Sequence, residues 1–231
     1  NNDDEHIMRR MNHIFRDIQI CCGTGNYTQV SPSIIVPDLS QSKINSLNIS
    51  DTVLFWTNEC NYNDLKELIE VAYEFNQREV NHNFPLRGAI VKGSIKEVSN
   101  KNESEFGGLH SIQCLYGKGL VSAHDIAEAQ QWAGCIVHDS IINDLLSEPG
   151  GLEFIERLAV KYNVPFKENY FQEFYAFKLK KGKINNEDHL RNALNAIEHV
   201  FSQDNKPIDR EDVKLKIKNT QDFITFNRDV E

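Results

Sequence analysis

The chain lacks any apolar run close to the roughly 20 residues that a membrane-spanning helix needs. It also lacks the pattern of a secretory signal peptide at its start. We therefore expect a protein that has no membrane partner and works in the cytoplasm. With 40% hydrophobic and 26% charged residues, the composition is that of an ordinary globular protein. At 231 residues the chain is long enough to bury a core of its own.

The cysteines lack the spacing of a disulfide framework or of a zinc site. The chain has five of them, an odd count, and no two form a CxxC pair. They are Cys21, Cys22, Cys60, Cys114 and Cys135. We therefore expect reduced thiols, most of them packed as small apolar side chains.

Positive charge is also in short supply. The chain has 25 Lys and Arg residues against 34 Asp and Glu residues, which gives a formal net charge of −9. This balance excludes a broad phosphate-binding surface for DNA or RNA, so we expect no nucleic-acid partner. A small, locally positive nucleotide pocket is still compatible with it.

Hydrophobic periodicity predicts a protein of the α+β class. Amphipathic patterns predict helices over residues 7–18, 64–78, 120–132, 152–160 and 188–201. Runs of β-branched and aromatic residues predict strands over 86–95, 111–116 and 135–138, strand material over 166–179, and a hairpin over 44–57. The tight turn of that hairpin falls at Ser50-Asp51. Residues 23–37 look irregular, and the polar run over 96–108 predicts a loop.

The order of these elements favours an antiparallel sheet with helices on one face, as in a ferredoxin-like β-α-β-β-α-β fold. That pattern begins with a strand, whereas the first predicted element here is a helix. We therefore expect an N-terminally truncated domain over residues 1–180 that lacks its first strand. A C-terminal α-helical extension is expected over residues 181–231.

Three local features are of chemical interest. Asp51 lies at the tip of a hairpin, which suits either a divalent-metal ligand or an ordinary turn aspartate. Arg87 and Lys92 lie in the predicted glycine-containing strand over 86–95, where they are either phosphate ligands or solvated strand charges. Gly117 begins a strand-to-helix turn, where free backbone N–H groups can receive phosphate, although turn chemistry alone also explains a glycine there.

In this order and spacing, the three features resemble the class III nucleotidyl cyclases, and most closely the bacterial pyrimidine cyclases of the Pycsar antiphage systems. SDTVLFW (50–56) is similar to the family's second metal-aspartate hairpin, and FPLRGAIVKGSI (84–95) to its Arg-Gly strand. YGKGLVSAHDIAEAQQWAGCIVH (116–138) is similar to its glycine turn, helix and Trp-x-Gly segment. The resemblance extends over about residues 3–140.

The chain departs from the family pattern at several positions. The strand that carries the family's first metal aspartate is absent. Leu47 replaces the lysine that selects adenine, which disfavours ATP, and Cys114 stands at the base-reading position. Val121 and Asp125 replace the Asn and Arg with which other members orient the ribose and stabilise the transition state.

The resemblance implies a phosphorus–oxygen lyase, a uridylate cyclase that converts UTP to 3′,5′-cyclic UMP and pyrophosphate as a second messenger in antiphage defence. It implies two ions of Mn²⁺ or Mg²⁺, with Asp51 as the catalytic metal ligand. Nucleotide binding would fall to Cys114, Arg87, Lys92 and Gly117, and the active protein would be a homodimer. The alternatives are a cytidylate cyclase, which would convert CTP to cyclic CMP, and a catalytically inactive cyclase-like domain that binds a nucleotide or a partner.

Overall fold

A computed structural model describes residues 2–203 and 207–230, and it confirms the α+β class. Its α-helices are α1 Asn2–Cys22, α2 Tyr62–Asn81, α3 Lys118–Ala129, α4 Asp139–Leu146, α5 Gly151–Leu158, α6 Glu187–Gln203 and α7 Glu211–Val230. Its strands are β1 Tyr27–Ser31, β2 Ile34–Pro37, β3 Ile44–Ile49, β4 Thr52–Thr57, β5 Arg87–Ile90, β6 Lys96–Glu103, β7 Leu109–Tyr116, β8 Gly134–Val137, β9 Ala159–Pro165 and β10 Phe171–Phe177. Each predicted helix is present with shifted ends, and so is the predicted hairpin.

A four-stranded sheet with the order β5-β8-β10-β9 forms the centre of the molecule. β5 and β8 are parallel, with Ala89 opposite Ile136, whereas β10 is antiparallel to both β8 and β9. Every residue of β8 is buried, as expected for a short apolar strand that is covered on both faces.

Three two-stranded hairpins accompany the central sheet: β1–β2, β3–β4 and β6–β7. The β3–β4 turn falls at the predicted Ser50-Asp51, with Ser50 in the left-handed region at φ 57°. The prediction of a loop over 96–108 is wrong, because residues 96–103 pair with β7 as strand β6. All of β6 is exposed to solvent, so neither face of the strand has to be apolar. Its sequence therefore lacks the alternation of apolar and polar residues from which a strand is predicted.

One face of the sheet is covered by α6 and α7, which pack around Trp132. The indole of Trp132 meets the ring of Phe223 edge-on, with centroids 4.8 Å apart. Its Nε1 donates to Gln130 Oε1 at 2.7 Å, and Gln130 Nε2 donates to the carbonyl of Gly88 at 2.9 Å. The core therefore continues from the C-terminal helices through Trp132 to β5. The predicted boundary at residues 180/181, between the cyclase-like domain and a C-terminal extension, stays a prediction.

The other face of the sheet is covered by α2, α4 and α5, whose apolar side chains form a second cluster with β8 and β10. A third cluster joins α1 and α2 to the β3–β4 hairpin and includes Cys21 and Cys22. All five cysteines are free thiols, as predicted. Burial raises the pKa of the Cys135 thiol to about 12 and that of Cys22 to about 11, so neither is a reactive thiolate near neutral pH. Across residues 2–203 and 207–230, no helix combines the length and apolarity that crossing a membrane requires.

The Trp132 cluster predicts a large difference between two phenylalanines. Phe223 is fully buried, whereas Phe106 at the tip of the β6–β7 hairpin is 98% exposed. We expect Phe223→Ala to lower the free energy of unfolding by about 3–5 kcal/mol, because it leaves a cavity in the core. Phe106→Ala should change it by less than about 0.5 kcal/mol. Urea denaturation of the two variants measures the difference, and equal losses would contradict the assigned core.

Candidate functional site

A cavity of about 1680 Å³ has residues of β4 and of β5 in its wall. β4 is hydrogen-bonded only to β3, and β5 only to β8, so each strand has one edge without a strand partner in the part of the chain that the structure describes. Residues of both strands line the cavity, together with parts of α1, α2 and α3. The cavity therefore separates two open strand edges.

The packing of the helix between them indicates that β4 and β5 run in the same direction along this cavity. α2 connects them, and its start, at Tyr62 and Leu65, packs on the cluster that contains Ile90 at the end of β5. Val53 near the start of β4 and Leu86 just before β5 both pack on the third cluster. Asp51 and Arg87 therefore lie at one end of the cavity, and Lys92 lies at the other.

Asp51 occupies the mouth of the cavity. Its side chain is exposed in the β3–β4 turn, and among the described residues no hydrogen bond or ion pair engages it. A hairpin tip holds such a carboxylate at a fixed place, where it can accept a cation. The described part of the chain brings no three His, Cys, Asp or Glu side chains together as a metal site. Asp51 by itself therefore does not make the complete two-ion site that the resemblance implies.

The two predicted phosphate ligands, Arg87 on β5 and Lys92 just after it, line the cavity but already have carboxylate partners. Arg87 donates to the Glu128 side chain and, through Nη1, to the Glu128 carbonyl at 3.4 Å. Lys92 Nζ is 2.7 Å from Asp144 Oδ2, and this hydrogen bond raises the pKa of Lys92. A phosphate would have to displace these carboxylates or share the cations with them.

The glycines at the start of α3 allow a close backbone approach. A Cβ on Gly93 would lie 2.5 Å from the Gly119 Cα, and one on Gly117 would lie 2.1 Å from the Ser94 carbonyl oxygen. Gly117 also has φ 147°, which a side chain disfavours. The Gly119 N–H donates to the Ser94 carbonyl at 3.0 Å, so this amide is already satisfied. Packing against residues 93–95 therefore accounts for Gly117 without a phosphate.

Cys114 and Gly117 are not among the residues that line the cavity. Cys114 lies on β7 opposite Val98, and Ile112 and Tyr116 share its face of the strand. All four side chains are on the exposed hairpin. One chain thus brings Asp51, Arg87 and Lys92 to a common cavity and leaves the predicted base-reading residue outside it.

A buried polar cluster between α1 and α2 was not found from the sequence. Asp17 and Glu79 are both fully buried, and Asp17 Oδ2 bonds the Nδ1 of His82. Neither Glu79 oxygen has a hydrogen-bond partner in the described structure. Burial, and to a lesser degree the Asp17 charge, raises the pKa of Glu79 to about 8, with Arg10 opposing the shift. The one sequence signal for this cluster was the position of Asp17 beside the apolar stripe of α1. An acid on the solvated surface of the helix would give the same pattern.

Comparison with known proteins adds no assignment. No protein-family model, no curated protein and no solved structure matches the chain.

The buried Glu79 predicts a pH-dependent stability. The folded protein keeps a proton on Glu79 that the unfolded chain releases, so stability falls as the pH rises from about 4.5 to about 8. The expected slope is at most about 1.4 kcal/mol per pH unit. In Glu79→Gln this loss should disappear, because the amide cannot ionise. Chemical denaturation at pH 5 and pH 8 measures it, with exposed Glu105→Gln as the matched control. Identical pH profiles for wild type and Glu79→Gln would refute the assignment.

Proposed function

We propose that this chain is the catalytic domain of a pyrimidine nucleotide cyclase that converts UTP to 3′,5′-cyclic UMP and pyrophosphate. The observation that supports the proposal most directly is the unpartnered Asp51 carboxylate at the mouth of the β4–β5 cavity. The proposed setting is cytoplasmic antiphage defence, with the cyclic nucleotide as the signal.

The arrangement around the cavity is compatible with a ferredoxin-like sheet. Two parallel strands joined by a helix, with a gap between them, can accept one more strand that is antiparallel to both. With that strand in place, β3–β4 and the central sheet would form one continuous sheet. The C-terminal end of the added strand would lie beside Asp51 and Arg87, because β4 and β5 both begin there. A carboxylate at that end would complete the pair that the cyclase reaction needs.

In the proposed reaction, the 3′-hydroxyl gives its proton to solvent and its oxygen bonds to the α-phosphorus, while the bond from the α-phosphorus to the pyrophosphate oxygen breaks and pyrophosphate leaves with that electron pair. Divalent ions, when bound, would lower the pKa of the hydroxyl and neutralise the leaving group. The role of Asp51 is to hold a cation at the rigid turn. Arg87, at the same end of the cavity, can exchange its Glu128 partner for phosphate.

The proposed homodimer would bring Cys114 to the nucleotide. Val98, Ile112, Cys114 and Tyr116 form an exposed apolar face on the β6–β7 hairpin, and an isolated two-stranded hairpin is only marginally stable. The proposal requires a second copy that covers this face and brings its own cavity next to Cys114. Each active site would then combine Asp51 of one protomer with Cys114 of its partner.

A catalytically inactive domain that binds a nucleotide or a partner is the competing proposal. It is favoured by the carboxylate partners of Arg87 and Lys92, and by Val121 and Asp125 on α3, which cannot orient a ribose as Asn and Arg do. Cytidylate cyclase activity is the nearer alternative, because no described contact distinguishes uracil from cytosine.

Product analysis separates these functions. Protein expressed from the complete gene is incubated with Mn²⁺ and, separately, with UTP, CTP, GTP and ATP, and the products are identified by mass spectrometry. Cyclic UMP is the expected product, and cyclic CMP would identify the cytidylate cyclase. Saturable UTP binding without a cyclic product would support the inactive domain. No cyclic product from any triphosphate ends the enzyme proposal.

Asp51→Asn should lower cyclase activity by at least about 100-fold, because the amide loses the charge that holds the cation. Its thermal midpoint should stay within about 2 °C of wild type, since Asp51 is exposed in a turn. Asp209→Asn, in an exposed turn between α6 and α7, is the matched control and should retain full activity. If Asp51→Asn turns over substrate as fast as the control, Asp51 is only a turn residue.

A further inference from the structure

A second cavity, of about 710 Å³, adjoins β9 at the opposite edge of the central sheet from β5. Its wall is rich in positive charge. Five basic side chains line it, against the single acidic side chain of Glu156: Arg157, Lys161, Lys178, Lys180 and Lys183. The whole chain has a net charge of −9, so the local charge around this cavity is opposite in sign to that of the chain as a whole.

The lysine-rich loop after β10 is held in place by its apolar residues. Leu179 and Ile184 are buried in the main core cluster, so Lys178, Lys180 and Lys183 alternate with anchored side chains. The Lys178 N–H donates to the Leu158 carbonyl at 3.0 Å, and the Lys178 carbonyl accepts from Gln77 Nε2 of α2. The backbone is therefore anchored at residues 178–179 and 184, beside the cavity, which lowers the entropy lost on binding an anion.

The remaining wall is aromatic. Tyr73 and Tyr175 line the same cavity, and Lys161 Nζ lies 5.6 Å from the centre of the Tyr175 ring. Arg157 is paired with Glu70 at 2.8 Å, so part of its charge is already neutralised. Lys161 and Lys180 are consequently the cations on which we base the test.

We propose that this cavity binds a small polyphosphate anion, at a site separate from the β4–β5 cavity. The volume is within the range of small-molecule pockets, and several ammonium groups around one space suit a ligand with two or three linked phosphates. The strongly negative chain disfavours a nucleic acid, whose backbone needs an extended basic surface. The phosphates can come from free inorganic polyphosphate or from a nucleoside triphosphate, whose base would use the tyrosine wall.

Isothermal titration of the whole chain with sodium tripolyphosphate at near-physiological salt tests the site. Wild type should bind one equivalent. Lys161→Gln and Lys180→Gln should each weaken binding about tenfold, because each removes one charge-assisted contact. Lys101→Gln, on the exposed β6–β7 hairpin, is the matched control and should bind as wild type does. A parallel titration with UTP in the Asp51→Asn background separates the two sources of phosphate: UTP binding that is tighter than tripolyphosphate binding, and that Lys180→Gln weakens, identifies a nucleotide at this site.

Two results would overturn the proposal: no saturable heat with either probe, or equal weakening by Lys101→Gln and Lys180→Gln. The result is independent of the proposed cyclase, since tripolyphosphate binding in the Asp51→Asn variant should equal that of wild type. If wild-type protein makes no cyclic nucleotide but binds tripolyphosphate, the result counts against the proposed cyclase alone. Loss of binding in both lysine variants with normal cyclic-nucleotide production supports the second site alone.

Discussion

The open backbone edges of β4 and β5 are the constraint on which the candidate site depends. Each edge presents N–H and C=O groups that have no strand partner in the described part of the chain, and buried groups of this kind require hydrogen bonds. α2 packs against both sides of the gap and fixes the two strands in one direction. Because the directions are fixed, Asp51 and Arg87 share one end of the cavity, and Lys92 is kept at the other. The chemistry available at each end follows from that separation.

Core packing connects the C-terminal helices to the same cavity. Phe223 of α7 supports the indole of Trp132, Trp132 bonds Gln130, and Gln130 bonds the carbonyl of Gly88, which is adjacent to Arg87. A Cβ at Gly134 would lie 2.5 Å from the Trp132 ring, so the indole packs where only a glycine leaves room for it. Residues 211–230 therefore support the strand that carries Arg87, although they contribute few side chains to the cavity itself.

The sequence predicted those elements whose local pattern and tertiary environment agree. The β3–β4 hairpin has apolar strands around a turn that needs a left-handed residue, and α2 has a clear apolar face, so both were found. β6 was missed because its residues are polar and exposed, and only pairing with β7 makes it a strand. The separation of Cys114 from Asp51 was beyond prediction as well, since it depends on strand directions that no local pattern contains. The buried acids Asp17 and Glu79 look in sequence like surface residues.

The contrast between Glu79 and Asp51 shows why a perturbed pKa does not by itself locate a functional group here. Perturbed carboxyls often mark active sites, and Glu79 is the described carboxyl whose pKa is raised furthest. With a pKa of about 8, however, Glu79 is largely neutral at physiological pH, and a neutral carboxyl is a poor ligand for a divalent cation. It is also sealed between α1 and α2 and does not line the cavity. Asp51 has the opposite properties, namely exposure, a rigid turn and access to a large cleft, and these are what cation binding demands. Between these two carboxyls, accessibility is therefore the better criterion, and it favours Asp51 for the proposed role.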